Sequence, residues 1–317
     1  MKGFSWTTVI LVFVLSSFGQ IKTSSESIQA NTPFIRVTLL GTGTPQPLMD
    51  RFGPSILVEA GSEILLFDAG RGCIQRLRQL NRSYDKLTAL FLTHLHSDHI
   101  VGLPDLWLTG WLISERKEPL KVFGPLGTAD LLEHLQKAFA YDIKIRVKDD
   151  GAAPEGSKFL VSEIQQGTIY ENNGVRVIAI TVDHFPVEPA FGYRIEYKGH
   201  AVVLSGDTRY SENLIHYAKG TDLIIHEVAL APDTLSKTDP KYHILAHHTT
   251  PEQAAKVFNE VKPKCAAYSH IVNLYAQNLR DLMKRTKAIY HGPLMLGEDL
   301  MSFSIADTVV VSAWKNK

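Results

Sequence analysis

Three imidazoles and a carboxylate fall inside six positions of the stretch Thr93-His94-Leu95-His96-Ser97-Asp98-His99. Neutral imidazole nitrogens and an ionised Asp are good donors for zinc and similar divalent ions, and a tight turn lets residues two apart point into one cavity. The order His-x-His-x-Asp-His is far more specific than a His-rich tract. A metal loop is therefore expected here in preference to an ordinary polar surface loop.

Such a loop needs a rigid element to carry it. Leu87 to Leu92 is a mostly apolar run between Asp85-Lys86 and the His cluster, the pattern of a buried strand. A strand ending at Leu92 delivers residues 93 to 99 onto a loop at its carboxyl end, where α/β proteins keep their sites. A helix is expected within Ile100 to Ile113. Further strands are expected at Ile35 to Leu40, Ser55 to Glu59, Ile64 to Asp68, Lys121 to Phe123, Val175 to Thr181, Tyr193 to Tyr197, Ala201 to Leu204, Leu223 to Ile225 and Cys265 to Tyr268. Short helices are expected at Ile74 to Leu80 and Thr128 to Phe139, and a surface loop at residues 148 to 157. Thr250-Pro251-Glu252-Gln253 has the makings of a capped helix start, with Thr250 as N-cap and Gln253 completing a capping box. Gly41-Thr42-Gly43 lacks the spacing of a dinucleotide fingerprint and reads as a turn beside the site.

At 317 residues the chain can form one large domain or two small ones. Lys plus Arg and Asp plus Glu both number 33, so no overall basic charge invites nucleic acid. Met1-Lys2 is followed by the apolar run Val9 to Leu15 and by the small residues Ser16, Ser17 and Gly19, which predicts a signal peptide over residues 1 to 19. The run is too short for a stable membrane span. A linker over 20 to 33 and one domain over 34 to 317 follow, in a protein expected to be exported, periplasmic or secreted. Cys73 and Cys265 are expected to be separate buried thiols.

A second metal would need ligands from other strand ends, and three candidates stand there: Asp183-His184, Asp207 and His270. With these the chain resembles the metallo-β-lactamase superfamily, in the branch that holds ribonuclease Z and certain secreted arylsulfatases. The matching stretches include Leu39-Leu40-Gly41-Thr42-Gly43, Phe67-Asp68-Ala69-Gly70, the central loop, Phe191-Gly192-Tyr193-Arg194, Ser205-Gly206-Asp207-Thr208-Arg209, His226-Glu227, His248-Thr249-Thr250 and Ser269-His270. The resemblance implies an α/β fold, an αββα sandwich in a single domain, with two divalent metal ions, zinc being the expected one. It places His94, His96 and His184 on the first metal and Asp98, His99 and His270 on the second, with Asp207 bridging. It also makes Glu227 and His248 an acid–base pair that protonates the leaving group, and leaves His226 and His247 without a firm role.

Two divalent ions lower the pKa of a shared water so that hydroxide is available near neutral pH. Asp98 is placed to orient that hydroxide or take its proton, and Asp68 to support a ligand. Ribonuclease Z normally carries a long tRNA-clamping arm between its Phe-Gly-Tyr and Gly-Asp-Thr stretches. Here Tyr193 to Ser205 reads as two strands joined at Lys198-Gly199-His200, with no room for one. The expectation is therefore a small-molecule ester substrate, with nucleic acid not a partner, and an arylsulfatase as the first choice of activity. Phosphodiesterase, ribonuclease Z-like nuclease, lactonase and a metal-binding protein without catalysis are the alternatives. Trp107, Trp111, Phe185, Phe191 and Tyr242 are candidates to line an aryl pocket, and Arg51 and Arg209 to contact ester oxygens.

Overall fold

A computed structural model describes residues 34–314. The signal peptide and linker expected over residues 1 to 33 lie outside the described residues. No helix among the described residues is long and apolar enough to cross a membrane.

Two sheets carry the fold. The first contains β1 (Ile35–Gly41), β2 (Ser55–Ala60), β3 (Glu63–Phe67), β4 (Ala89–Phe91), β5 (Leu120–Gly124) and β6 (Phe159–Glu163). The second contains β7 (Gly167–Asn172), β8 (Val175–His184), β9 (Val187–Tyr197), β10 (His200–Leu204), β11 (Leu223–Leu230), β12 (Cys265–Asn273) and β13 (Leu294–Leu296), and β14 (Ser302–Ile305) and β15 (Val309–Ser312) return to the first. Strand orders are β15-β14-β1-β2-β3-β4-β5-β6 and β13-β12-β11-β10-β9-β8-β7.

Side chains alternate across each strand, and that period builds the layers. In β3, Leu65 and Phe67 face the space between the sheets with Val37, Phe91, Tyr193 and Ile225, while Leu66 faces outward with Leu90 and Trp107. The outward face is covered by α1 (Cys73–Gln79), α3 (Leu103–Leu112) and α4 (Thr128–Ala138), which follow the short α2 (Ser97–Ile100) or flank it in sequence. α5 (Ala140–Asp149) comes next in the chain. On the second sheet, Val203, Ile224 and Ala266 meet Leu214 of α6 (Glu212–Ala218), Phe258 of α8 (Pro251–Val261) and Leu282 of α9 (Leu279–Lys287). The short α7 (Tyr242–Ala246) precedes α8. The αββα sandwich expected from the resemblance is the architecture found.

Several elements differ from the sequence reading. The expected loop at 148 to 157 begins inside α5, a helix with no fully buried residue, whose packing on the core is through the half-buried Ile143. β12 runs on through His270, where φ is +43°, and its pairing with β11 shifts register between His226 and Val228. β9 and β10 pair Tyr197 with His200 across Lys198 and Gly199, both at positive φ, a two-residue hairpin with no inserted arm. The capping box at Thr250 and Gln253 is present and fixes the start of α8, a contribution of about 1 kcal/mol.

Candidate metal centre

The loops after β4 and β10, the end of β8 and the carboxyl-terminal halves of β11 and β12 meet at one edge of the sandwich, and each delivers a chemically capable side chain there. Four residues from three of these ends, His94, His96, His184 and Asp207, offer ligand atoms within 4.8 Å of one another, and so do Asp98, His99 and His270. Asp207 faces both groups. Its Oδ2 lies 3.4 Å from His99 Nε2 and 3.3 Å from His270 Nε2 on one side, and 3.9 Å from both His94 Nε2 and His184 Nε2 on the other.

The geometry of the neighbours fixes which imidazole nitrogens point inward. Thr93 Oγ1 donates to Asp68 Oδ2 at 2.9 Å, so it accepts from His94 Nδ1 at 2.9 Å and leaves His94 Nε2 unprotonated. His184 Nδ1 donates to the His247 carbonyl at 3.1 Å, which leaves its Nε2 bare as well. These two lone pairs point at His96 Nδ1, 3.0 and 3.3 Å away. Such a convergence of acceptors fits a cation between them. Burial holds His94 well below the ordinary imidazole range and pushes His184 down to about 4, which keeps both in the neutral, ligating form.

The second group is arranged by Asp68. Its Oδ1 accepts from the Thr93 amide at 2.8 Å and its Oδ2 from His99 Nδ1 at 2.7 Å, so His99 presents Nε2 to the cavity. That nitrogen and Asp207 Oδ1 are buried without a hydrogen-bond partner. Burial disfavours charge on His99, yet Asp207 and Asp68 raise it well above the imidazole range. A buried set of carboxylates that draws a proton onto His99 is short of positive charge. The residues therefore fit divalent cations, whose binding would displace that proton. Asp68→Ala is expected to weaken metal affinity about 10- to 100-fold by releasing His99 and Thr93, read by competition with a chelating dye.

Glu227 and His248 stand beside this cluster. Glu227 Oε1 accepts from the Thr249 amide at 2.9 Å and the Thr208 amide at 3.3 Å, which aims Oε2 at His248 Nδ1, 3.3 Å away and off the line of a hydrogen bond. Ser205 Oγ accepts from the Glu227 amide at 3.0 Å. The His248 ring sits 5.2 Å from that of His184 and 5.5 Å from that of His270, with its side chain 9% exposed at the mouth of the cluster. Burial alone would lower its pKa, but Glu227 and Asp207 outweigh this and push it up to about 9.

Backbone geometry holds these groups in register. Gly206, at φ +60°, lets the chain turn after β10 so that Asp207 points inward; a Cβ there would lie 2.3 Å from the Phe191 carbonyl oxygen. Phe191 N donates to Thr93 O at 2.9 Å, tying β9 to the metal loop. Thr42 O accepts from Ile271 N at 3.1 Å, so the expected turn at Gly41-Thr42-Gly43 braces the backbone beside His270.

Every candidate ligand thus reaches the centre, as do Glu227 and His248. Other expectations fail. Arg51 binds Thr42 Oγ1 and the Gly297 carbonyl, both at 2.7 Å, and Arg209 binds the carbonyls of Ala246 and Phe185 together with Asp183; both are structural braces. Trp107, Trp111 and Phe191 are core residues. His226 turns away from the centre toward Phe258 of α8. Sequence reasoning missed the His247 carbonyl and the Thr249 amide, since a backbone group leaves no residue-type signal.

Comparisons with known proteins give the family and the fold. Residues 35–258 match the family model described as Anti-Pycsar protein Apyc1. A ribonuclease Z from Mycobacterium marinum is 34% identical over 271 residues, covering 84% of this chain and 97% of that relative. Among solved structures, the metallo-β-lactamase fold protein YhfI from Bacillus subtilis aligns with a TM-score of 0.67 at 18% identity, over 84% of this chain and 98% of its own. Human tRNase Z, short form, aligns with a TM-score of 0.64 at 24% identity, over 86% and 99%.

The expectation of a small-molecule ester to the exclusion of nucleic acid is corrected by these relatives, whose name is that of an enzyme acting on RNA. Two of the arguments behind it, net charge and the missing arm, were weak on physical grounds. Net charge sums the whole surface and does not report the field at a cleft where divalent cations would face phosphates. The missing arm does not discriminate either: the 271 aligned positions take up 84% of this chain, leaving only a handful at which the Mycobacterium relative has a residue this chain lacks.

Proposed function

The chain belongs to the Anti-Pycsar protein Apyc1 family, in the ribonuclease Z-like branch of the metallo-β-lactamase superfamily, and from that premise we propose a metal-dependent phosphodiesterase acting on ribonucleotide phosphodiesters. The observation that carries the choice of diester is the Glu227–His248 pair. A ribose alkoxide is a poor leaving group and needs a proton as the P–O bond breaks, whereas a phenoxide with a pKa of about 10 leaves without help. An aryl sulfatase would have little use for such a pair.

Divalent ions held by His94, His96, His184, Asp98, His99, His270 and Asp207 would supply Lewis acidity toward the phosphoryl oxygens and a water acidic enough to attack near neutral pH. The remaining work falls to side chains. Asp98, whose Oδ2 lies 3.3 Å from His270 Nε2, is the carboxylate that accepts the proton of the attacking water. Burial alone would raise its pKa, but His270 and His99 hold it below the usual carboxylate range, so it is ionised and ready. The charge of Glu227, 3.3 Å from Nδ1, keeps His248 protonated, and His248 delivers the proton to the leaving oxygen. Glu227 itself is fixed by two backbone amides and does not swing.

This assignment has a pH signature. The acid form of His248 exists below its pKa and is lost as pH rises, so cleavage of an alkyl diester should fall above about pH 9, and divalent cations nearby would move that limb toward neutrality. The same limb should be shallow for a nitrophenyl diester, which needs no acid. A pH–rate profile on both substrates checks it.

The substrate class is tested by measuring kcat/KM of the metal-loaded protein on a short RNA and on nitrophenyl sulfate. Cleavage of the RNA with little turnover of the sulfate supports the phosphodiesterase. Preference for the sulfate would return the protein to the arylsulfatase reading.

A further inference from the structure

A proton donor must be aimed, and the His248 side chain does little to fix its own aim. Its Nδ1 lies 3.3 Å from Glu227 Oε2 without forming a hydrogen bond. The backbone therefore has to place the ring.

That backbone ends a long segment with little packing. From Pro232 to His248 no residue is fully buried, and the segment meets the core through the half-buried Leu235, Ile244 and Leu245. Segments with so few buried contacts open locally at low cost. Just beyond His248 the chain is firm. The Thr249 amide donates to Glu227 Oε1 at 2.9 Å, its hydroxyl donates to the Thr208 carbonyl at 2.7 Å, and its carbonyl accepts from the Ala229 amide at 2.8 Å. A chain pinned on one side only still swings about the pin, so the other side decides.

Arg209 holds that other side, and all three of its guanidinium nitrogens take part. Nε donates to the Ala246 carbonyl, two residues before His248. Nη1 donates to Asp183 Oδ1 at 3.3 Å and Nη2 to the Phe185 carbonyl at 3.0 Å, on either side of His184 in the chain. The Arg209 amide donates to the Asp183 carbonyl at 2.7 Å, two residues beyond Asp207. One planar group thus joins the strand end that carries His184, the loop that carries Asp207 and the segment that carries His248. His184 Nδ1 adds a bond to the His247 carbonyl at 3.1 Å, uncharged and so weaker than those of the guanidinium. The remaining ties of the segment, Arg285 to Asp233, Tyr275 to Asp239 and Lys241 over the Tyr275 ring, lie further from His248 along the chain.

We propose that Arg209 is a positioning residue for proton transfer to the leaving group, setting the aim of His248 against the metal centre; this rests on the phosphodiesterase reading. It acts through His248 and does not touch the ester. Its loss should therefore matter only where the leaving oxygen needs a proton.

The test compares Arg209→Met and Arg209→Lys with the wild type, all loaded with zinc and with metal content measured. Turnover is followed on a short RNA, whose leaving group needs a proton, and on bis-nitrophenyl phosphate, whose leaving group does not. Backbone amide exchange is followed in the same samples, since the amides of His247 and His248 donate to Ile244 and Leu245 carbonyls within the segment and report its opening. Both variants should cleave the RNA about 10- to 100-fold more slowly, with little loss on the nitrophenyl ester and equal metal content. Exchange at His247 and His248 should quicken while β10 and β11 stay protected. Lysine keeps the charge but cannot span three acceptors, so it should do no better than methionine. Full RNA cleavage by the lysine variant would show that charge alone suffices and overturn the proposal. Equal losses on both substrates, or lost metal, would show a merely structural role and overturn it too, as would unchanged exchange at His247 and His248. A zinc-loaded wild type inactive on both substrates would instead overturn the phosphodiesterase reading, and the role in proton transfer with it.

Discussion

Asp207→Ala is expected to lower phosphodiester turnover by on the order of 10³-fold or more, and to leave the protein with fewer bound metal ions per chain. One oxygen, Oδ2, approaches histidines of both ligand groups, at 3.3 and 3.4 Å on one side and 3.9 Å on the other. Its removal therefore takes a ligand from both groups at once, where loss of His96 or His270 would weaken one. It also takes away the negative charge that helps raise His99, leaving the cavity with less attraction for cations. Burial alone would raise the pKa of Asp207, but the surrounding histidines, His270 and His99 first, hold it well below the carboxylate range, so the group lost is an anion. Elemental analysis beside a diesterase assay reads both effects. Full metal content with full activity would remove Asp207 from the centre.

His248→Ala should produce the second-largest effect, and a selective one. General acid catalysis contributes about 10²- to 10⁴-fold, so cleavage of an RNA or other alkyl diester should fall within that range. A nitrophenyl diester should lose far less, because its leaving group departs without a proton. Glu227→Gln should follow the same pattern more weakly, since the imidazole would remain in place while losing the partner 3.3 Å from its Nδ1. Equal losses on both substrate types would assign His248 to the structure of the cleft, where its ring already lies 5.2 Å from His184.

What the sequence disclosed follows from where information is contiguous. His94, His96, Asp98 and His99 could be read directly, because one loop carries all four and their spacing is itself a geometric statement. His184, Asp207 and His270 could not be derived that way. Each is a single polar residue near a strand end, and only the meeting of β8, β10 and β12 at one edge makes them neighbours; the resemblance supplied what the spacing lacked. The strand through His270 was read too short because the register shift and the positive φ break the alternating pattern. The last turn of α5 was read as a loop because the helix has no fully buried residue, and β6 and β7 escaped because their side chains are half-exposed and carry a weak alternation. The tautomers of His94 and His184 depend on a neighbouring hydroxyl and a distant carbonyl, and no pattern of residue types encodes either. Nucleic acid was set aside for a related reason: net charge is a property of the whole chain, while recognition is local.

Titration of the metal-free protein with zinc, counting bound ions per chain while following cleavage of bis-nitrophenyl phosphate, tests most directly the proposal that two ions make the phosphodiester centre. Activity should stay near background through the first equivalent and rise with the second. Full activity at a single ion per chain, or none with two bound, would contradict it.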